Sequence, residues 1–224
     1  MKNPRQFRFN INQEATNMTI SSEKIVEAVI QISEEIKKSK QYLTDLDAAI
    51  GDGDHGINMA RGFEAVESKI EEVKSKDIGS ILKTTGMTLV SFVGGASGPL
   101  YGTAFMKAGQ VVSGKDEIDA QDVIIMMAAA VDGIKQRGKA EVGDKTMLDV
   151  IVPSMEAYKK AISEGKNIKQ AFELAYDEAQ VSLEKTKSLV AKKGRASYLG
   201  ERSLGFQDPG ATSAAIMFGV FKSI

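Results

Sequence analysis

Apolar residues recur at intervals of three and four through almost all of this 224-residue chain. Ile25, Val29, Ile32 and Ile36 form one stripe, and Phe63, Val66, Ile70 and Val73 form another. Ile81, Leu82, Leu89 and Val93 follow; Ile168, Phe172, Ala175 and Ala179 lie farther on. Such spacing puts each set on one face of an α-helix. Polar starters precede the stripes. Ser21-Ser22, Asp77, Asp119-Ala120-Gln121-Asp122, Asn167 and Asp208-Pro209 each suit a helix N-terminus. Pro99 fits the first turn of a further helix. Pro153 either kinks a helix over residues 146–163 or forces a later start. No alternating strand pattern competes. The pattern predicts an all-α fold of eight helices, antiparallel and up-down because the connections are short.

Bulk properties narrow the function. Lys plus Arg total 29 against 30 for Asp plus Glu, so no whole-chain field favours nucleic acid or an anionic membrane. Cysteine is absent, which excludes disulfides and thiolate metal sites. The longest apolar runs, such as Val123 to Val131, are too short to span a bilayer. The first residues lack the apolar core of a signal peptide, so a cytoplasmic protein is expected. Residues 1–17 are polar and aperiodic; they read as a flexible arm or leader before a single domain over 18–224.

The gaps between helices are rich in glycine, at 51–56, 94–98, 138–143, 194–200 and 205–210. In an up-down array alternate loops share an end, so the first three are expected to converge. One of them is chemically unusual. Asp45, Asp47, Asp52 and Asp54 crowd a stretch with no Lys or Arg between Gln41 and Ala60. Mutually repelling carboxylates with glycines between them suggest a hard-cation site, Mg2+ first. The competing reading is a solvated turn in which Asp forms turns and caps. Two features favour metal. Asp45 and Asp47 sit near a helix C-terminus, where negative charge is disfavoured. Asp52 and Asp54, two residues apart, point the same way in an extended loop.

Several pattern matches fail on context. Gly51-Asp52-Gly53-Asp54-His55-Gly56 satisfies G-x-G-x-x-G, but the preceding segment reads as helix and carboxylates fill the variable positions. An EF-hand fails at Gly56, where a third acid is needed. Gly143-Asp144-Lys145-Thr146 resembles a Walker A ending, but Asp144 interrupts it. That loop remains a phosphate or substrate contact through Lys and Thr. Gly94 to Pro99 either seats an anion on a helix N-terminus or packs helices closely. His55, the sole histidine, reads as a hydrogen-bond partner, with adjacent carboxylates favouring imidazolium. Lys192-Lys193-Gly194-Arg195 either complements a helix C-terminus or offers Arg195 to a phosphate.

Four long motifs carry a resemblance. GDGDHGINMARGF, KDIGSILKTTGMTLVSFVGGASGPLYGT, RGKAEVGDKTM and KKGRASYLGERSLGFQDPGATSA occur in order. Together they resemble the nucleotide-binding L subunits of bacterial phosphotransferase-dependent dihydroxyacetone kinases. The resemblance runs from about Met18 to the C-terminus. It implies an eight-helix barrel with nucleotide at one end. It implies two Mg2+ ions held by Asp47, Asp52 and Asp54, with no role for Asp45. Nucleotide contacts are implied at His55, Gly56, Ile57 and Asn58, at Ala96 and Ser97, at Gly138, Met147 and Arg195, and at Asp208, Pro209 and Gly210.

In such systems ADP stays bound, a phosphohistidine on an M subunit rephosphorylates it, and dihydroxyacetone on a K subunit receives the phosphoryl group. The chain has no length for a sugar-binding domain of its own, which matches the stand-alone type. Two alternatives stand beside this: a nucleotide-sensing regulator acting on a transcription factor, and an ATP-dependent kinase module for another substrate. A homodimer is compatible with either.

Overall fold

The computed structural model describes residues 19–224. The arm expected over 1–17 lies outside them. The first stripe builds α1 (Ser22–Lys38), whose N-cap Ser21 accepts the Lys24 N–H. After Ser39 the chain continues as α2 (Lys40–Ile50). The periodicity gives no sign of this break. Ile36, Leu43 and Ile50 follow at seven-residue intervals, all buried, so the stripe stays in phase across it.

Among the described residues seven more helices follow, four of them starting at the caps Asp77, Asp119, Asn167 and Asp208 that the sequence predicts. They are α3 (His55–Ile70), α4 (Ile78–Phe92), α5 (Ser97–Val111), α6 (Ala120–Gly138), α7 (Leu148–Ser163), α8 (Ile168–Lys185) and α9 (Pro209–Phe221). Asp77 caps α4 through Ser80 N–H. Asp119 with Asp122 and Asn167 with Gln170 form reciprocal capping boxes on α6 and α8. Pro153 neither delays α7 nor ends it; the helix runs through the proline. Two 3₁₀ stretches, Thr186–Ser188 and Arg195–Ser203, interrupt the long α8–α9 connection. A two-residue antiparallel bridge pairs β1 (Ile20–Ser21) with β2 (Glu117–Ile118).

Neighbour relations close a ring. Helix α1 packs on α3, and then α4, α5, α6, α7, α8 and α9 follow in order, with α9 returning to α1. Eight staves make the barrel, as expected; α2 is a ninth helix that prolongs α1 and leans on α3 and α9. Inside lie Ile32, Phe63, Leu89, Phe172, Met217 and their neighbours; Ile32, Phe172 and Met217 also line an apolar cavity of ≈ 160 Å3. The Tyr158, Phe172, Phe221 and Phe218 rings link α7, α8 and α9, with successive centroids 4.7, 5.6 and 5.7 Å apart. Among the described residues no helix is long and apolar enough to cross a membrane.

The α4–α5 seam depends on backbone approaching backbone. A Cβ at Gly86 would sit 2.5 Å from the Gly102 carbonyl oxygen, and one at Gly109 would sit 2.7 Å from that of Gly79. Gly86→Ala therefore sets two effects against each other. Helix propensity favours alanine by about 1 kcal/mol. Overpacking a seam of this kind costs about 1–3 kcal/mol, and here the obstacle is rigid backbone. Urea unfolding of Gly86→Ala should show a net loss of stability; a gain would mean that the seam yields freely.

Candidate functional site

Up-down alternation delivers the N-termini of α3, α5, α7 and α9 to the same end of the barrel. There, loops 51–54, 94–96, 138–147, 192–198 and 208–210 surround a cleft of ≈ 780 Å3. The expected convergence of the first three loops occurs, and both later loops join them. Four helix N-termini bring partial positive charge and unpaired N–H groups toward one space. Most are occupied by side chains. Asp208 Oδ2 accepts the Ala211 N–H at 2.7 Å to cap α9. Helix α5, by contrast, has no side-chain cap at Ala96.

Asp47, in the last turn of α2, is buried, and its Oδ2 accepts the Asp54 and His55 N–H groups at 2.9 and 3.1 Å. It thus caps α3 while ending α2, which relieves the unfavourable C-terminal position expected from sequence. Gly51 is needed beside it: a Cβ there would fall 2.1 Å from Asp47 Oδ1. Gly53 turns the chain at φ +72°, a conformation glycine adopts freely. As a result Asp47, Asp52 and Asp54 each bring a carboxylate oxygen within 4.8 Å of the others. Asp52 and Asp54 are exposed. Asp45 stands apart, exposed and bonded to Gln41 Nε2. An all-oxygen donor set of this size, with one ligand buried and two open to the cleft, fits a hard divalent cation. Arg195 Nη2 lies 2.8 Å from Asp52 Oδ2, so the guanidinium already reaches the acid cluster.

His55 opens α3 and is buried. Its Nδ1 and Nε2 lie 3.1 Å from Ser97 Oγ and Ser213 Oγ respectively. Ser213 Oγ is 2.7 Å from Tyr101 Oη, and the Tyr101 hydroxyl donates to the Gly210 carbonyl. This chain of hydroxyls and imidazole locks α3, α5 and α9 together beneath the cleft. Burial depresses the His55 pKa, with Asp47 and Asp54 opposing more weakly. The expectation of an imidazolium is therefore corrected: desolvation outweighs the adjacent carboxylates, and the ring is a neutral hydrogen-bond partner.

The Walker-like loop borders the cleft with Lys145, but the ammonium turns into the main chain behind it. Lys145 is 1% exposed, and its Nζ donates to the carbonyls of Leu189, Ser203 and Phe206 at 3.1, 2.6 and 2.8 Å. Three donors are thus spent on main chain, and the ammonium has only three. The expected phosphate contact through Lys145 is corrected accordingly. Thr146 lines the cleft beside it.

The residues marked from sequence divide cleanly. Asp47, Asp52, Asp54, His55, Ala96, Ser97, Gly138, Met147, Arg195, Asp208, Pro209 and Gly210 line the one cleft. Gly56, Ile57 and Asn58 do not. Gly56 allows close approach of α3 to α2, since its Cβ would sit 2.1 Å from the Lys40 carbonyl oxygen. Ile57 is 46% exposed, and Asn58 accepts a bond from Arg61 while lying against Gly94.

A family model described as the DAK2 domain matches residues 49–223. The chain belongs to the DAK2 family. Among its relatives, the "PEP-dependent dihydroxyacetone kinase, ADP-binding subunit DhaL" of Escherichia coli (strain K12) is 46% identical over 200 residues, covering 89% of this chain and 95% of the relative. The "PEP-dependent dihydroxyacetone kinase 1, ADP-binding subunit DhaL" of Listeria innocua is 48% identical over 185 residues, with 83% and 87% covered. The solved dihydroxyacetone kinase from C. freundii, in complex with AMP-PNP and Mg2+, superposes with a TM-score of 0.67 at 25% identity. The match covers 89% of this chain and a third of that one (33%).

Within this DAK2 domain, sequence reading missed Tyr101 and Ser213, which complete the His55 network, and Arg137, which lines the cleft. Each lies within one of the four motifs, but nothing local gives it a role; Ser213 lies 158 residues from His55. Asp208 carries a distinct electrostatic signature. Burial, chiefly, and the charges of Asp149 and Asp47 raise its pKa from 3.8 to about 7, against the Ala211 N–H and Lys145. Between those values the folded state binds the extra proton, so stability falls as pH rises through that window and levels above it. Asn caps helices as well as Asp. In metal-free urea titrations, Asp208→Asn should therefore gain on the parent from pH ~4 to ~7 and hold a constant lead above. Parallel curves across this range would return Asp208 to an ordinary carboxylate.

Proposed function

We propose that this chain is the ADP-binding subunit of a phosphoenolpyruvate-dependent dihydroxyacetone kinase, a phosphotransferase active only with partner subunits. The observation that carries the reading is the acid trio at the mouth of a cleft ringed by helix N-termini. Acids alone would repel a diphosphate. Acids holding cations, beside the uncapped first turn of α5 and the side chains of Arg137 and Arg195, would bind one. The names of the E. coli and Listeria relatives support ADP and dihydroxyacetone, and the AMP-PNP and Mg2+ in the C. freundii complex support nucleotide and magnesium.

Two Mg2+ ions are the stoichiometry we infer, held by Asp47 Oδ1, Asp52 and Asp54. Bound magnesium would neutralise charge on phosphate oxygens during transfer. The protein's own part is positioning. Asp47 sets the metal loop rigidly on α3. Arg195, which pairs with Asp52 at 2.8 Å, would offer its planar fork to phosphate oxygens once that carboxylate held a cation. Neutral His55 fixes Ser97, and with it the α5 N-terminus, against α9. The nucleotide remains in place as a coenzyme. A phosphohistidine on an M subunit phosphorylates ADP there, and dihydroxyacetone on a K subunit accepts the group. We place the protein in the cytoplasm, where phosphoenolpyruvate is made.

Reconstitution with purified K and M subunits and a phosphoenolpyruvate-driven donor tests the reading. Turnover should appear and should fall by at least about 100-fold in Asp52→Asn and Asp54→Asn, with helical circular dichroism retained. Loss of ADP retention should accompany it. Full ADP retention in both variants contradicts the proposal. ADP retention by the parent without turnover would instead favour a nucleotide sensor acting on a transcription factor.

A further inference from the structure

The segment between α8 and α9 carries Arg195, yet residues 189–194 have no regular structure and residues 195–203 are only 3₁₀. Segments of that kind open readily unless something holds them. On one side Ala191, Ala196 and Leu199 pack against Ile50, at the end of the helix that bears Asp47. On the other side the loop preceding α7 grips the segment. The Lys192 N–H donates to the Asp144 carbonyl at 3.0 Å, and Lys192 Nζ lies 3.5 Å from Asp144 Oδ1. The adjacent residue supplies the strongest hold. Lys145 crosses the gap with a buried ammonium bonded to three carbonyls, from Leu189, Ser203 and Phe206. Those three carbonyls bracket Arg195 on both sides.

Backbone geometry aims this side chain. Lys145 adopts φ +60°, where non-glycine residues are disfavoured. Asp149 holds the surrounding turn by accepting the Gly143 and Thr146 N–H groups. A charged group so deeply buried is costly unless every donor is met. Here every donor is met, and none remains for a ligand.

We propose that Lys145 is a positioning residue: its ammonium pins segment 189–206 across the cleft and so holds Arg195 where it can meet both Asp52 and a bound phosphate. The proposal rests on the nucleotide reading for its consequence, though not for the pin itself. Methionine at 145 would keep an apolar stem as far as Cε and lose only the ammonium, leaving three buried carbonyls unpaired.

The chain contains no cysteine, so Lys145→Cys introduces a unique thiol. Alkylated in urea with 2-bromoethylamine and refolded, it regains an ammonium at nearly lysine's length; iodoethane gives a neutral adduct with no donor. Two quantities are read beside Lys145→Met: amide exchange across 189–206, and dissociation of Mg-ADP. The pin predicts exchange at Ala191, Lys192 and Gly205 faster by at least about tenfold in the Met and neutral chains, with α3 and α4 unchanged. ADP should leave faster by a similar factor. The aminoethyl chain should restore both. Unaltered exchange in a folded Lys145→Met chain overturns the proposal, as does equal rescue by the neutral adduct, which would reduce the role to packing. If the parent binds no ADP, the nucleotide reading fails while exchange still judges the pin. Should none of the variants fold, the parent decides: protected Ala191, Lys192 and Gly205 amides support the pin, and exchange at the open-chain rate overturns it.

Discussion

Asp47 divides its two carboxylate oxygens between two tasks, and the site depends on that division. Oδ2 is committed to the N-terminus of α3. That bond fixes the angle between α2 and α3 and stabilises a buried negative charge with a helix dipole. Oδ1 is left for the cleft, because Gly51 supplies the space beside it. The acid loop is therefore anchored at one ligand and open at the other two. A loop built from three exposed acids would splay apart under its own repulsion.

The barrel provides the complementary charge. Eight staves in alternating direction place four N-termini at each end, and the acid loop occupies one end only. Acids suited to a cation thus stand next to helix ends suited to an anion. The arrangement suits a diphosphate bridged by metal, which neither half would hold well alone. Catalysis of phosphoryl transfer rests largely on positioning and electrostatics, so a rigid frame with short loops is an appropriate support. The same logic explains why the long α8–α9 connection is tied down at both flanks instead of being left as a loose flap.

Much of this was legible in the residue pattern. Caps at Ser21, Asp77, Asp119, Asn167 and Asp208 announce helix starts because short polar side chains satisfy N–H groups within three residues. The acid trio was legible for the same reason, being local in sequence. Failures arose where distance decides. The Ser39 break is invisible because Ile36, Leu43 and Ile50 stay in phase. The charge state of His55 was misjudged because neighbouring carboxylates are visible in sequence and burial by α5 and α9 is not. Lys145 read as a phosphate ligand because its partners lie 44 to 61 residues away. Gly56, Ile57 and Asn58 share the first turn of α3 with His55, and Asn58 lies against Gly94 of the cleft lining.

The central claim is that the self-repelling trio coexists because cations and a diphosphate lie among its members. Native mass spectrometry of the purified chain, supplied with ADP and magnesium, addresses it directly. The account predicts one dominant species whose excess mass equals one ADP and two magnesium ions, reverting to the bare chain when a chelator is added. A chain that gains neither magnesium nor ADP under those conditions would contradict it.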